Sequence, residues 1–343
     1  MNLRTIILLA ASFGSLNLAT TPALSKGFYD YCVGAENQDE RNTVDAIMTK
    51  LGIWGDPSDE NCRMTQARLE DRKYLSLWPD PLETPRNLAR DLHPLEDATH
   101  LLALSIAKNE ISDLSPIANL GNLTLLNINF NPVSDISGVS QLVRLRELDA
   151  SRTNISDLSP LSNLKALETL SISEARLTDI SPLTTLHQLR TLYLGQNQIS
   201  DATPLASLSF THLLVEDNKI TSLDVTRSKS MLILLDVARN QLSTVTGLED
   251  LDRIDAINIE GNNFFTVAAM ADLTTLRWLN IRNNNISDIS QIGELTNLRY
   301  LMLDGNHVCV LPESIKKLQL EHLNLRGEWI KLSITGLDRQ VGC

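Results

Sequence analysis

Residues 189–208 read LRTLYLGQNQISDATPLASL. The stretch opens with LxxLxL, passes an Asn at its ninth position and an Ile at its eleventh, then meets an Asp and a Pro-Leu pair. The same letters return at Leu101, Leu123, Leu145, Leu167, Leu189, Phe210, Leu232, Ile254, Leu276 and Leu298, with a partial unit from Leu320. Every interval is 22 residues except that from Leu189 to Phe210, which is 21. Such a period means stacked units that share one continuous core, each touching only its neighbours.

The letters have physical reasons. In a short strand, alternate residues face the same way. The fourth and sixth residues, Leu192 and Leu194 here, point inward with Leu189, Ile199, Leu205 and Leu208. The second, third, fifth, seventh and eighth residues face outward. The ninth stands where the chain leaves the strand, and an Asn amide there can satisfy backbone groups that the turn strands inside. That predicts a ladder of Asn109, Asn131, Asn197, Asn218, Asn240, Asn262, Asn284 and Asn306, loosened at Thr153 and Ala175. On the back, the Ser or Thr before Pro in SDLSPI, SDLSPL, TDISPL and SDATPL reads as a helix cap before a favoured first residue. Aspartates 113, 157, 179, 201 and 288 are placed to accept from the same free amides. Capping accounts for this row of acids without a cation. A helical turn per unit is wider than a strand, so the stack curves with its parallel strands inside.

These motifs resemble the 22-residue leucine-rich repeat of bacterial internalin-like proteins, which is similar to that of the cytosolic phosphatase-regulator family. The resemblance covers about 94–327. It implies an α/β repeat solenoid: an arc with a parallel sheet on the concave face, short 3-10 turns on the convex face, and a helical disulfide-bonded N-terminal cap. The cap does not match that of internalins, and their C-terminal anchoring parts have no counterpart, so host-cell invasion is not implied.

The remaining chain fits around the repeats. Residues 1–25 read as a secretory signal, with Arg4, an apolar run and a small-x-small site at Ala23-Leu24-Ser25. Residues 26–98 form the cap and lead-in, 99–327 the ten repeats plus a partial one, and 328–343 a C-terminal cap. In the first cap, Val44, Ile47, Met48 and Leu51 have helical spacing before Gly52, and Asn61-Cys62 opens a second helical stretch. No apolar run is long enough to span a bilayer, and the mature chain carries no sign of a lipid anchor. Four cysteines behind a signal predict disulfides. Eleven strands at about 4.8 Å set the two ends roughly 50 Å apart. A disulfide needs Cα atoms within about 7 Å, so Cys32 pairs with Cys62 and Cys309 with Cys343. None has zinc-site spacing.

Function is less legible. Net charge is −12, which argues against nucleic acid. Six scattered His and the lack of any phosphate loop, nucleophile elbow or HExxH motif argue against an enzyme, and no cofactor is expected. Binding is the favoured class. Aligned by position, the third column ends in Trp278, Tyr300 and His322, beside Arg277 and Arg299 in the second and Arg282 and Arg326 in the seventh. Trp, Tyr and Arg are enriched where interfaces hold their binding energy. Tyr193 stands alone further back. In mid-array, Glu174, Glu216, Asp217, Asp236, Asp255 and Glu260 share the groove and read as a solvated face. The sixth unit has no Pro on its back, where Thr226, Arg227, Ser228 and Lys229 stand, and marks a local change of curvature. The expected protein is secreted or periplasmic and recognises a protein partner on its concave face. A glycan stacked on Trp278, Tyr300 and Tyr193, or a structural role in an envelope or matrix, are the alternatives.

Overall fold

The computed structural model describes residues 27–79, 88–309, 311–325 and 328–330. The expected signal at 1–25, Arg326 and Cys343 lie outside these residues. So does the Cys309–Cys343 pairing, through Cys343.

The described residues open with three helices, α1 (Phe28–Gly34), α2 (Gln38–Lys50) and α3 (Asp59–Glu70). The sequence reading anticipated the last two and missed α1. Asn37 caps α2 by accepting from the Asp39 and Glu40 amides, and Ser58 caps α3 through the Asn61 amide. Gly52 ends the second helix region with φ of 72°, where a side chain would be strained. Cys32 and Cys62 are bonded, with Cα atoms 5.6 Å apart, and lie fully buried against Val44, Ile47 and Met48. Tyr31 donates to Glu96 at 3.1 Å, and a ring nitrogen of His100 meets the Leu69 carbonyl at 2.9 Å. The helices are thereby tied to the first repeat.

A single sheet follows. Its parallel strands are β1 (Tyr74–Ser76), β2 (Ala103–Ser105), β3 (Leu125–Asn127), β4 (Glu147–Asp149), β5 (Thr169–Ser171), β6 (Thr191–Tyr193), β7 (His212–Leu214), β8 (Leu234–Asp236), β9 (Ala256–Asn258), β10 (Trp278–Asn280), β11 (Tyr300–Met302) and β12 (His322–Leu325). A last strand, β13 (Glu328–Ile330), pairs antiparallel with β12. The sequence reading expected eleven parallel strands; the described residues hold twelve. The extra one, β1, lies in the stretch assigned to the cap. Leu75 and Leu77 fill the fourth and sixth places there, and Leu75 pairs with Leu104.

The repeat chemistry is as expected inside and differs on the back. Fourth- and sixth-position side chains are buried in every full repeat. Each ladder Asn uses both ends of its amide. Asn240 Nδ2 donates to the carbonyls of Val215 (2.9 Å), Val237 (3.1 Å) and Ala238 (3.3 Å), while Oδ1 accepts the Ile220 amide at 3.0 Å. The Thr153 hydroxyl reaches only the Ala150 carbonyl of its own turn, so the stitch to the preceding unit is missing there. On the convex side, the Ser and Thr residues are not the caps. They sit inside the 3-10 turns, and the residue before them makes no side-chain cap bond. The cap is the Asp two residues earlier: Asp157 Oδ1 accepts the Ser159 amide at 2.8 Å and Oδ2 accepts its hydroxyl at 2.8 Å. Asp113, Asp179, Asp201 and Asp288 repeat the amide contact. These bonds hold the carboxyls of Asp157, Asp201 and Asp288 below the usual carboxylate range. In the last repeat, Pro312 leads into a true helical turn, α4 (Glu313–Lys316).

The 21-residue interval has its own repair. In seven other units the first residue donates to the residue three before it, as Leu189 does to Leu186 at 3.0 Å. One residue short, Phe210 instead donates to Ser228 Oγ, 3.0 Å away on the next turn, and Ser228 is buried there.

Candidate binding surface

The concave face is built from third- and fifth-position side chains, flanked by the second, seventh and eighth. Strand pairing without bulges keeps each column in register from β2 to β12, so a column of letters is a row of neighbours about 4.8 Å apart. The eighth position is where the strand turns into the convex arm. Lys108, Phe130, Arg152, Glu174, Gln196, Asp217, Arg239 and Asn283 all stand there with φ between 52° and 58°. This left-handed backbone suits Gly, and Gly261 and Gly305 occupy the same place in two units. Side chains set in this way project along the rim. At the N-terminal end they interleave: the Lys108 ammonium lies 4.4 Å from the Trp78 ring centre and 5.2 Å from that of Phe130, and the Arg152 guanidinium is 4.5 Å from Phe130.

The residues expected at the C-terminal end are brought together. Trp278 pairs with Tyr300 and Tyr300 with His322 in one row. The Tyr300 and His322 rings stack at 5.1 Å with 19° between planes. All three are half-buried. The Tyr300 hydroxyl donates to Glu321 at 2.8 Å, and that carboxylate raises its pKa. The basic character is smaller than the letters suggested. Arg277 pairs with Asp255, and Arg282 with Asp304 at 3.3 Å. Arg299 folds back onto the carbonyls of Thr296 (3.3 Å) and Leu298 (3.0 Å). Fifth-position Asn280, Met302 and Asn324 of the same strands are buried, so the outward-facing half of this row is the part with Trp278 and Tyr300. Tyr193 is half-buried on β6, four strands from Trp278, and does not join the row.

The mid-array acids are stitched to their surroundings rather than standing in solvent. Asp217 holds Arg239 through two bonds of 2.6 Å, and Glu174 holds Arg152 at 2.6 Å. Asp236 accepts from the Ala238 amide at 3.0 Å and from Asn258 at 2.9 Å; Glu260 accepts from Asn280 at 2.8 Å. Glu216 is the exception, with one oxygen buried and unpartnered. Burial pushes the carboxyls of Glu216 and Asp236 up.

Sequence reasoning missed one feature of the face, a depression of about 340 Å³ over β3 to β6. Its signal was present in the columns: Thr169 and Ser171 are small, Glu147 and Asp149 beside them on β4 are larger, and so is Tyr193 beside Ser171 on β6. Among the described residues no group of His, Cys, Asp and Glu could hold a metal ion, and no helix is long and apolar enough to cross a membrane.

Comparison with known proteins agrees with this architecture. A family model described as leucine-rich repeats (2 copies) matches residues 143–183, 165–207 and 274–319. An internalin (InlF) from Listeria monocytogenes is 27% identical, with 82% of this chain and 94% of that one covered and a TM-score of 0.66. Two further structures share the fold. The functional domain of InlJ from the same organism is 20% identical over 83% of this chain and 69% of that one, TM-score 0.61. A plant peptide hormone receptor (RGFR1) in complex with RGF2 is 22% identical over 68% of this chain and 40% of that one, TM-score 0.58. No curated protein sequence matches the chain.

Proposed function

We propose that this internalin-like leucine-rich-repeat protein is a secreted or periplasmic, non-enzymatic binder that recognises a protein partner through its concave face. One observation carries the reading. Among the described residues, twelve parallel strands project their outward side chains in register, and half-buried aromatic residues, Tyr193, Trp278 and Tyr300, stand among polar side chains and the half-buried Leu125, Leu214 and Leu234. Rigid, partly ordered aromatics lose little entropy on contact, which suits them as anchors. A similar fold is seen in a receptor in complex with its peptide hormone. The buried Cys32–Cys62 bond supports an oxidising compartment. Trp278, Tyr300 and His322 are the proposed anchors at the C-terminal end, with Arg277, Arg299 and Arg282 around them; Arg326, expected to join them from the sequence, lies outside the described residues.

The test is affinity capture by the mature chain from its native medium or envelope extract, followed by titration of the captured partner. Replacing Trp278 and Tyr300 by Ala should weaken binding at least about tenfold. Unchanged affinity would remove this row as the contact site. Saturation of a glycan array by the chain, with no protein captured, would overturn the protein-partner reading.

A further inference from the structure

The depression over β3 to β6 has walls of opposite character. The small Thr169 and Ser171 of β5 form its floor. On one side, Glu147 and Asp149 of β4 lie in register with them; on the other, Tyr193 of β6 lies in register with Ser171. The walls are two strand spacings, or roughly 10 Å, apart. The acidic wall is not neutralised from within. Among the described residues Glu147 has no side-chain hydrogen bond or ion pair and stands exposed. Asp149 accepts from the Ser151 amide at 3.1 Å and from Asn129 Nδ2 at 2.6 Å, both uncharged donors. The two neighbouring arginines are engaged elsewhere: Arg146 with Glu168 at 2.9 Å and Arg152 with Glu174 at 2.6 Å.

We propose that this depression receives an arginine side chain of the protein partner, its guanidinium lying on the Tyr193 ring and donating to Glu147 and Asp149. The inference rests on the concave-face reading above and names what that face would recognise. A guanidinium offers five N–H donors and no acceptor, which matches a wall rich in acceptors and bearing two negative charges. It is planar, so one face can lie about 4 Å from an aromatic ring while an edge reaches carboxylate oxygens at about 2.8 Å. Together these distances span the gap between the walls. Lysine lacks the planar face. A sugar ring can lie on Tyr193 and donate hydroxyls, but it carries no positive charge to answer the two carboxylates.

The experiment uses small probes, so it does not depend on finding the partner. Acetyl-Gly-Arg-Gly-amide and its lysine counterpart are titrated into the purified chain and followed by ligand-observed NMR, with methyl glucoside as a third probe. The arginine peptide should saturate in the millimolar range, at least threefold tighter than the lysine peptide, and weaken in high salt. Glu147→Gln with Asp149→Asn, and Tyr193→Leu, should each lower its affinity about tenfold, while Tyr193→Phe keeps it. Circular dichroism melting confirms that each variant folds. Failure to saturate by about 20 mM, an equal response from the lysine peptide, variants that bind as well as the parent, or saturation by the glucoside alone would overturn the proposal. Those outcomes leave the Trp278 and Tyr300 test untouched, because that test reads the captured partner and a different part of the sheet.

Discussion

Replacing Asn240 by Ala tests what holds the stacked units together. The substitution removes four hydrogen bonds but does not orphan four groups. The Val215 carbonyl keeps a bond from Asn218 at 3.1 Å, and the Val237 carbonyl keeps one from Asn262 at 2.9 Å. The Ala238 carbonyl still accepts the Asp217 amide at 2.9 Å. Only the Ile220 amide, whose side-chain partner was Asn240 Oδ1, is left buried with nothing to donate to. One buried unsatisfied donor costs about 2 kcal/mol, and three acceptor bonds at the weak end add about 0.5 kcal/mol each. The expected loss is therefore about 3 to 4 kcal/mol. Equilibrium urea unfolding reads it as a midpoint lowered by about 1 M if the slope is near 3 kcal/mol/M. The slope must stay constant, since repeat arrays can lose cooperativity. Amide exchange at Ile220 supplies the local readout and should speed up more than at other buried amides of the array. A loss below about 1 kcal/mol with unchanged exchange at Ile220 would show that the ladder is decoration on a core that stands without it.

Two further outcomes follow from the same structure. Replacing Cys32 and Cys62 by Ala opens a loop with a sequence separation of 30, which the chain-entropy relation puts at about 3.5 kcal/mol. Calorimetry should show the helical end melting earlier, and an unchanged melting profile would contradict the bond's role. Replacing Glu216 by Gln should raise stability at neutral pH. Burial lifts this carboxyl's folded pKa above its unfolded one, so its ionised form opposes folding, and the penalty disappears once pH falls below the unfolded value near 4. Urea midpoints at pH 7 and 3.5 should show a gain that vanishes on acidification; a loss at pH 7 would refute the sign.

What could be read from the letters was whatever each unit states for itself. The aliphatic columns and the Asn ladder recur in place, and so does the Asp of each convex turn. Strand β1 escaped because Arg72 stands where a Leu should open the unit and 29 residues separate it from Leu101. The left-handed eighth position escaped because Lys, Phe, Arg, Glu, Gln and Asp share it, and only the two glycines and Asn283 hint at its backbone. At the binding surface, the row of Trp278, Tyr300 and His322 was legible since register follows from period. The pairing of Arg277 with Asp255 was legible too, since both hold the second position of neighbouring units; that Arg299 folds back onto backbone carbonyls was not, because a letter says nothing of which way a long side chain leans. The depression was missed for a related reason. It is a difference in size between side chains on adjacent strands, and no single residue announces it.

The reversal at β13 bears on how many molecules can join. A stack of near-identical units is half of a polymer: the last strand of one chain could template the first strand of another, and head-to-tail addition of that kind grows without closing. Every junction from β1 to β12 is parallel, whereas β13 presents a strand running the other way. An arriving β1 would meet the wrong hydrogen-bond pattern and no asparagine to continue the stitching. Among the described residues the array therefore closes on three residues in the opposite direction, Glu328–Ile330, and not on another edge of its own kind.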